Sequence, residues 1–324
     1  MKFKRKLLIL LLLIYFIPLN IYAYSDKVIL GGDNIGISVN TKEILVVGFY
    51  KVNGKFIAKD SGFLIGDRIT KVNNKDVTSI EELVNEINNY ENNVIITVKR
   101  NDQEKKIKLQ LYKENDTYKT GLYIKDQITG VGTLTYIDPE TKIFGSLGHE
   151  ITDSKTGKIV TIKDGFIFES NITGTIKSTI TSTGEKKAQF NKGDKKGVIE
   201  KNTKKGIYGK YNDVYDENNL ISVGTIDEIE LGPAYIYTVL ENNEIKSYTI
   251  NIIQINKNTD TKNILFEITD SNLIKEANGV IKGMSGSPIV QNNKIVGAVT
   301  HAIISDNTKG YGIFITTMLK EGEK

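Results

Sequence analysis

The segment IKGMSGSPIV, Ile281 to Val290, places a serine among glycines at the start of an apolar run. A serine becomes a nucleophile only when a base takes its proton and donors hold the developing oxyanion. The glycines allow a sharp turn in which the N–H groups of Gly283 and Ser285 converge on one oxygen, while the Ser285 hydroxyl projects outward. Without a base, the same turn is a plain connection between two strands.

The chain contains two histidines, so the search for that base is short. His149 lies in FGSLGHEITD, a glycine-flanked loop of the kind that can deliver an imidazole across a cleft. An unperturbed pKa near ~6.5 leaves such an imidazole mostly neutral at pH 7. His301 lies in GAVTHAII, a strand that leads away from the turn, which favours a strand or pocket-lining role. A lone histidine is more often structural, but the pairing with GMSGSP makes His149 the predicted base.

An acid is needed to fix the tautomer of the imidazole. Asp270 ends the apolar strand FEITD upstream of the serine turn and is the predicted acid. Asp153 is nearer to His149 along the chain and remains the alternative. HEITD also imitates the zinc motif H-E-x-x-H, but its flanks are poor helix formers and a zinc peptidase needs both ligands on one helical face. We therefore expect neither a metal nor another cofactor.

The composition is that of an ordinary globular protein, with 39% hydrophobic and 25% charged residues in a chain of 324. The formal net charge is +4, and four basic residues at the N-terminus supply all of it, so nothing indicates nucleic-acid binding. The absence of cysteine excludes a disulfide framework and a thiol nucleophile. The basic residues concerned are Lys2, Lys4, Arg5 and Lys6.

Residues 1–24 have the pattern of a secretory signal or a short membrane anchor, and both alternatives stay open. A basic start is followed by the apolar run Leu7 to Ile17 and by a small-residue site at Ala23. The basic residues hold the N-terminus in the cytoplasm, so we expect the body of the protein to be exported in either case.

The sequence predicts one small α+β unit over residues 31–114. Alternating strand patterns flank TSIEELVNEINNY, in which apolar residues recur with helical spacing and Thr78 and Glu81 are spaced as a capping box. The apolar face of this helix is Ile80, Leu83, Val84 and Ile87.

The stretch AKDSGFLIGDRITKVNNKDVTSIEELVNEI resembles a PDZ domain in its order of Gly, Gly-Asp, Ile and helix. In such domains the loop before the second strand presents N–H groups to a peptide carboxylate, and the peptide adds to the edge of the sheet. The alternative is that the glycine of this loop is only a turn residue. The resemblance implies that the loop is formed by Asn34, Ile35, Gly36, Ile37 and Ser38.

Residues 115–324 differ from the preceding unit in their sequence pattern, because they contain many short β-rich runs and little helical periodicity. Such a pattern predicts a β-barrel or β-sandwich. The Asn- and Lys-rich tract Lys186 to Gly206 is expected to be an exposed loop and a protease-sensitive site.

The order of the leader, the PDZ-like unit, FGSLGHEITD, FEITD, GMSGSPIVQNNKIVGAVTH and GYGIF resembles the stage IV sporulation protein B family of serine peptidases. The resemblance implies a mainly β fold, in which the PDZ domain precedes a chymotrypsin-like double β-barrel. It implies that Ser285, His149 and Asp270 are nucleophile, base and orienting acid. Glu150 departs from the small residue expected after the histidine and adds a charge beside the base.

Members of that family act in endospore-forming bacteria, in the space between forespore and mother cell. The resemblance implies as substrate a membrane-associated regulator, whose cleavage releases an intramembrane metalloprotease that acts on the sigma-K precursor, and it implies self-cleavage. Two rival interpretations are a PDZ scaffold without activity and an envelope stress protease. The stress proteases usually carry the peptidase before the PDZ domain, which is the reverse of the order here.

Overall fold

The computed structural model describes residues 24–154 and 157–324. Its N-terminal elements are β1 (Lys27–Leu30), β2 (Asn34–Phe49), α1 (Ile57–Asp60), β3 (Arg68–Val72), β4 (Lys75–Asp76), α2 (Ile80–Ile87), β5 (Asn93–Arg100), β6 (Gln103–Gln110), β7 (Tyr112–Glu114), β8 (Thr117–Lys119) and β9 (Leu122–Ile137). The later elements are β10 (Ile143–Ser146), β11 (Ile162–Ile176), β12 (Glu185–Thr203), β13 (Gly206–Tyr211), β14 (Leu220–Val223), β15 (Gly232–Val239), β16 (Ile245–Ile255), β17 (Ile264–Ile268), α3 (Ser271–Ala277), β18 (Pro288–Gln291), β19 (Lys294–Ala302), β20 (Lys309–Phe314) and α4 (Ile315–Glu323).

The predicted leader lies outside the described residues, apart from Tyr24. Within the described part of the chain, no helix is long and apolar enough to cross a membrane.

The first barrel is closed by antiparallel pairing around the circuit β9, β10, β13, β12, β11, β2 and back to β9. Alternate residues of each strand point inward, as the period of two in a pleated strand requires. In β2 these are Ile35, Ile37 and Val39, all buried. They pack against Leu134, Phe144, Ile167, Ile199 and Ile207 from the other strands and against Leu147, which follows β10.

The second barrel closes in the same way around β15, β16, β17, β20, β19, β18 and back to β15. Its core is a separate apolar cluster, which includes Ile236, Ile250, Phe266, Leu273, Met284 and Ile289. Strand β14 connects the two barrels because it pairs antiparallel with β1 and parallel with β19. The predicted mainly β fold, with a PDZ-like unit and a double barrel, is therefore confirmed.

The PDZ-like unit has its own core, formed by β3, β5, β6, the helices and the second half of β2. Strands β5 and β6 form a hairpin whose turn residues, Asn101 and Asp102, have φ values of 50° and 63°. Both residue types tolerate the left-handed conformation that a tight hairpin turn needs.

Helix α2 confirms the predicted helix, with a different cap and a narrower buried face. Ser79 is the N-cap, and its side chain accepts a hydrogen bond from the Glu82 N–H at 3.2 Å, whereas Thr78 and Glu81 were predicted for the box. Leu83 and Ile87 are buried, but Val84 is 41% exposed because it lies at the margin of the apolar stripe. Burying a leucine side chain of this kind stabilises the fold by about 2 kcal/mol.

Strands β2 and β9 are shared between the PDZ-like unit and the first barrel. The first half of β2, residues 34–40, pairs with β9 on one side and β11 on the other. The second half, residues 44–49, pairs with β3 and with the start of β9. Residues 31–41, predicted as part of the PDZ unit, therefore pair with strands of the peptidase.

The tract from Lys186 to Gly206, predicted as a loop, is mostly strand β12. It pairs with β11 along one edge and with β13 along the other, while many of its Lys and Asn side chains face solvent. The strand was not predicted because its sequence is rich in polar residues. A β-ribbon with two solvated faces lacks the alternation of apolar and polar residues by which strands are recognised.

Candidate active site

Ser285 lies in a tight turn that leads into β18. Gly283 and Gly286 have φ values of 93° and 94°, in the left-handed region that glycine adopts without strain. A Cβ on Gly286 would meet the carbonyl oxygen of Thr133 at 2.0 Å, so that position has no room for a side chain. The Ser287 N–H closes the turn by donating to the Met284 carbonyl at 2.9 Å. The predicted glycine turn is therefore present at the serine.

Two backbone donors in this turn match the predicted oxyanion site. Among the described residues, no protein acceptor receives the N–H of Gly283 or Ser285, whereas Met284, Gly286 and Ser287 each donate to a carbonyl. Thr133 fixes the carbonyl groups of both residues, because its Oγ1 donates to the Gly283 oxygen at 2.8 Å and its N–H to the Ser285 oxygen at 2.9 Å. The two peptide groups are thus held while their N–H groups remain available.

The Ser285 hydroxyl is half-buried and donates to the backbone carbonyl of Thr300 at 2.9 Å. Thr300 belongs to β19, the strand that also carries His301. In this conformation the hydroxyl proton points to a peptide oxygen. Proton transfer to a base therefore requires rotation of the Ser285 side chain.

The chain carries His149 out of β10 through two left-handed residues, Leu147 and Gly148, each with φ of 68°. This conformation is unfavourable for leucine and indicates a turn that its surroundings hold in place. A Cβ on Gly148 would meet Thr300 Cγ2 at 2.7 Å, so the loop lies directly against the second barrel. His149 and Ser285 consequently line one cleft, of about 270 Å³, although they come from different barrels.

The imidazole of His149 is held by the next peptide group. Its Nδ1 lies 2.8 Å from the carbonyl oxygen of Glu150. A carbonyl only accepts, so Nδ1 carries the proton and Nε2 is left with a free electron pair. Burial lowers the pKa of His149, and the hydrogen bond to the Glu150 carbonyl opposes that shift only in part. The ring is therefore neutral at pH 7 and able to accept a proton.

His301 packs against His149, with ring centroids 5.0 Å apart and planes inclined by 45°. Burial lowers the pKa of His301 to about 4, and the neighbouring His149 adds to the effect. Its buried Nδ1 has no hydrogen-bond partner among the described residues. The strand position of His301 matches the prediction. Its contact with His149 was not predicted, because residue spacing does not reveal which segments meet across a cleft.

The structure does not bring the predicted acid, Asp270, to His149. The carboxylate caps α3: its Oδ1 accepts the N–H groups of Asn272 at 2.9 Å and Leu273 at 3.1 Å, and its Oδ2 that of Thr249 at 3.3 Å. No hydrogen bond joins Asp270 to His149 among the described residues. Its distance from the serine along the sequence fits an acid, but an aspartate before a short helix is also a common N-cap.

The alternative acid and the zinc motif lie in the loop after His149. Asp153 is buried, and its N–H donates to the Lys158 carbonyl at 3.0 Å in a turn. HEITD is not helical, so His149 and Asp153 do not share a helical face. Within the part of the chain that the structure describes, no cluster of three or more His, Cys, Asp or Glu is arranged to hold a metal ion.

The predicted peptide-binding loop, from Asn34 to Ser38, is a buried strand of the first barrel. Both of its edges are occupied, by β9 and by β11, and Phe190 packs where a Cβ on Gly36 would lie. No backbone N–H in a strand with two neighbours is left for a peptide carboxylate. The prediction failed because the glycine pattern of a PDZ loop also suits close packing inside a barrel.

Sequence reasoning missed three groups that shape the site: Thr133, Thr300 and Lys186. Lys186 is buried, and its Nζ donates to Asn34 Oδ1 at 2.7 Å and to Thr238 Oγ1 at 2.8 Å. Its side-chain carbons lie 3.0–3.1 Å from the position of a Cβ on Gly283. Burial lowers the pKa of Lys186 to about 7. No motif marks a lysine of this kind, since most lysines are solvated.

Comparison with known proteins gives a family and several distant structures. The family model described as SpoIVB peptidase S55 matches residues 116–319, and that of the PDZ domain matches residues 34–111. A comparison with curated proteins finds no match.

Among solved structures, an inactive mutant of Rv3671c from M. tuberculosis H37Rv is 11% identical, with 60% of this chain and 82% of that chain covered and a TM-score of 0.32. The HtrA-type protease AlgW with a decapeptide is 9% identical, with 65% of this chain and 54% of that chain covered and a TM-score of 0.37. The active form of the Rv3671c protease is 12% identical, with coverages of 59% and 71% and a TM-score of 0.28. The family match spans more than half of the sequence, so the chain belongs to the SpoIVB peptidase S55 family and is a serine peptidase with a PDZ domain before its peptidase domain.

Proposed function

We propose that this chain is an exported serine endopeptidase in which Ser285 is the nucleophile and His149 the general base. The main support is that both residues line one cleft, with Nδ1 of His149 engaged by a carbonyl and Nε2 left as an acceptor. A nucleophile and a base from separate barrels meet only if the fold places them together. This makes a chance pairing of the two motifs a poor explanation.

In the proposed reaction, the Ser285 hydroxyl leaves the Thr300 carbonyl and turns to Nε2 of His149. The imidazole takes the proton as the serine oxygen attacks the peptide carbonyl, and it then gives that proton to the leaving amine. A water molecule, deprotonated by the same imidazole, hydrolyses the acyl-enzyme. Because burial lowers the pKa of His149, the imidazolium is a strong acid toward the amine.

The free N–H groups of Gly283 and Ser285 hold the oxyanion in this mechanism. Such donors are fixed before the reaction, so they stabilise the new charge without reorganising. Each is worth roughly 3–4 kcal/mol of barrier in serine peptidases. The acid of a Ser-His-Asp triad is replaced in part by the Glu150 carbonyl, which fixes the tautomer but supplies no full negative charge.

Membership of the SpoIVB peptidase S55 family supports the biological part of the proposal. The enzyme is exported during endospore formation into the space between forespore and mother cell, where it cleaves a membrane-associated regulator and so starts sigma-K precursor processing. The basic and apolar pattern of residues 1–24 supports export. The PDZ domain supports capture of protein substrates through peptide ends or strand addition. Self-cleavage belongs to the same proposal.

The test of the chemistry compares Ser285→Ala with Ser287→Ala in an assay of peptide cleavage. We expect Ser285→Ala to abolish cleavage and self-cleavage with little change in the thermal transition, because its hydroxyl contributes little to the core. Ser287→Ala is the matched control and retains most activity. Undiminished cleavage by Ser285→Ala would reject the proposal. The biological claim is tested in sporulating cells, where the Ser285→Ala protein should leave the sigma-K precursor unprocessed.

A further inference from the structure

A second cavity, of about 360 Å³, lies where the first barrel meets the hairpin of β15 and β16. Among its described lining residues, none is shared with the cleft of His149 and Ser285. Asn243 of the hairpin joins the two barrels here, because its Nδ2 donates to Asn171 Oδ1 at 2.7 Å and its Oδ1 accepts the Ile172 N–H at 2.8 Å. The cavity is therefore held between two folded units, and its volume lies within the roughly 300–1,000 Å³ that ligand pockets span.

Part of the cavity wall is apolar and comes from both barrels. Buried side chains of the first barrel form most of it, and Val239 and Ile245 of the second barrel complete it. A ligand that places an apolar side chain against this wall removes that side chain from water, which is favourable. At the rim, Val214 is 87% exposed, so the cavity opens to solvent. The apolar residues of the first barrel are Ile29, Ile35, Leu134, Ile137 and Phe168.

Two buried polar groups in the wall lack a partner. Asn34 and Ser170 are 5% and 6% exposed, and neither Asn34 Nδ2 nor Ser170 Oγ has a hydrogen-bond partner among the described residues. They are neighbours, because the antiparallel register of β2 and β11 pairs Ile35 with Glu169. Lys186 Nζ can only donate, so it faces Asn34 Oδ1, at 2.7 Å, and Nδ2 is the end left over. An unsatisfied buried donor is costly, so the wall favours a ligand that carries a hydrogen-bond acceptor.

Asp33 adds a carboxylate that has no counter-ion in the described part of the chain. Lys196, the one basic residue among the described lining residues, lies 3.1 Å from Glu169 Oε2 and also donates to Asp213, so its charge is engaged elsewhere. The Asp33 side chain is accessible from the cavity, yet the surrounding protein keeps much of the water away. This burial raises the pKa of Asp33; its own N–H opposes the shift and Glu169 adds to it. A cation brought to Asp33 would supply the missing counter-ion.

The charges of the lining favour an ammonium group and disfavour a carboxylate. The described lining includes three acids, Asp33, Glu169 and Asp216, and one base, Lys196, so negative charge exceeds positive. A free amino acid carries an ammonium and a carboxylate. The first residue of a polypeptide carries the ammonium and, in place of the carboxylate, a neutral peptide carbonyl. The lining therefore suits the beginning of a polypeptide better than a free amino acid.

We propose that this cavity binds the amino-terminal residue of a polypeptide that begins with an apolar side chain. The ammonium pairs with Asp33 and donates to Ser170 Oγ, and the first carbonyl oxygen accepts from Asn34 Nδ2. The apolar side chain lies against the apolar wall. The site uses neither Ser285 nor His149, so the inference goes beyond the proposed peptidase chemistry and does not depend on it.

The first test compares L-leucinamide with N-acetyl-L-leucinamide, which keeps the side chain and the carbonyl but has no ammonium. Binding to the full chain carrying Ser285→Ala is followed by NMR through backbone amide signals at about pH 6.5, where an α-amino group is charged. We expect leucinamide to shift the signals of Leu134 and Ser170, and the acetylated compound to have a Kd at least tenfold higher. Equal Kd values, or no shift at these two residues, would overturn the proposal.

A second test uses Asp33→Asn, which removes the carboxylate and keeps the size of the side chain. We expect its Kd for leucinamide to be at least tenfold higher. Glu200→Gln, at an exposed position outside the cavity, is the matched control for the loss of one negative charge and should stay within about twofold. Equal Kd values for the two variants would contradict the proposal. If Asp33→Asn does not fold, the acetylation experiment still decides, because it leaves the cavity unaltered.

A third test separates the beginning of a polypeptide from a free amino acid. Leucine and the amide of Leu-Gly-Gly share the ammonium and the side chain, but leucine has a carboxylate where the tripeptide has its first peptide carbonyl. We expect the tripeptide amide to bind at least as tightly as leucinamide, and leucine at least tenfold more weakly. Leucine that binds as tightly as the tripeptide amide would assign the cavity to free amino acids and overturn the proposal.

Discussion

His149 enters the cleft with its tautomer set by a peptide carbonyl and with a second imidazole against its face. Both contacts are to neutral groups. The imidazolium that the proposed mechanism forms therefore has no hydrogen-bonded carboxylate among the described residues, and its proton is readily passed on. In a Ser-His-Asp triad, by contrast, an aspartate stabilises the charged ring.

The pH dependence of activity should reflect the lowered pKa of His149. In the proposed mechanism activity requires neutral His149, whose pKa is lowered by burial, so activity is full above that pKa and is lost as the pH falls through it. We expect the acidic limb of kcat/KM to lie below pH ~6.5, the ordinary value for histidine. An acidic limb above that value would contradict a buried neutral base.

The two histidines should differ in their effect on turnover. In a peptide cleavage assay, we expect His149→Ala to lower kcat/KM by several orders of magnitude and His301→Ala by at most about tenfold.

Asp270→Ala separates a helix cap from an orienting acid. As a cap, Asp270 contributes about 1 kcal/mol to the free energy of unfolding, and kcat/KM stays within about twofold of wild type. As the acid of a triad, its loss would reduce kcat by roughly 10⁴ with intact folding. Chemical denaturation and a cleavage assay on the same sample decide between the two roles.

At the scale of elements, β12 and β9 support the Ser285 turn from two sides. The Lys186 N–H donates to the Lys282 carbonyl at 3.0 Å, and the Lys282 N–H donates to the Gly184 carbonyl at 2.8 Å, so the start of β12 is bonded to the chain just before Gly283. Thr133 of β9 binds the same turn from the other side. The turn that carries the free N–H groups of Gly283 and Ser285 is therefore held by both strands.

Lys186 at the start of β12 should make stability depend on pH. Its pKa is about 7 in the folded protein and ~10.4 in an unfolded chain, so between these values the unfolded state binds more protons. Stability therefore rises with pH across this window, and the cost of burying the charge is fully present below pH 7.

We expect the free energy of unfolding of wild type, relative to Lys186→Met, to rise by about 4 kcal/mol between pH 7 and pH 10. Denaturant titrations of both proteins at the two pH values measure this difference. Because Lys186→Met keeps the buried stem and lacks the titrating group, the other groups cancel in the comparison. A constant difference between the two proteins would show that folding does not lower the pKa of Lys186.

The sequence predicted an element correctly where its local pattern fits only one kind of structure. The stripe of Leu83 and Ile87 identified α2, and the glycines around Ser285 identified its turn. Sequence-based prediction failed where two structures share one local pattern. The glycine-containing strand from Asn34 to Ser38 has the pattern of a PDZ loop. Asp270 has the spacing from Ser285 expected of an orienting acid, but it caps a helix. Contacts such as that of His301 with His149 depend on how the barrels pack, which local patterns do not encode.

At the scale of the whole molecule, the PDZ unit is an insertion between two strands of the first barrel, although along the chain it looks like a separate N-terminal domain. The chain leaves the barrel through β2 after Asn40 and returns through β9 at Gln127, and these two residues are paired. A chain shortened to begin at Asn115 loses β1 and β2, so we expect the first barrel not to close.

The PDZ unit can instead be bypassed at the paired residues. Replacing residues 40–127 by Asn-Gly joins Val39 to Ile128, a pair of the same ladder whose N–H and C=O groups face each other, through a two-residue turn that suits a β-hairpin. We expect this variant to fold, to cleave short peptides and to handle its membrane-linked substrate poorly. Equal cleavage of that substrate with and without the unit would show that the PDZ domain has no part in capture.

The central claim, that Ser285 is a nucleophile activated by His149, is tested most directly by labelling with a fluorophosphonate, followed by peptide mapping. The account predicts one adduct on the wild-type chain, located at Ser285, and loss of that adduct in both Ser285→Ala and His149→Ala. Ser287→Ala should be labelled as wild type is. Absence of an adduct on the folded wild-type protein, or an adduct on another residue, would contradict the account.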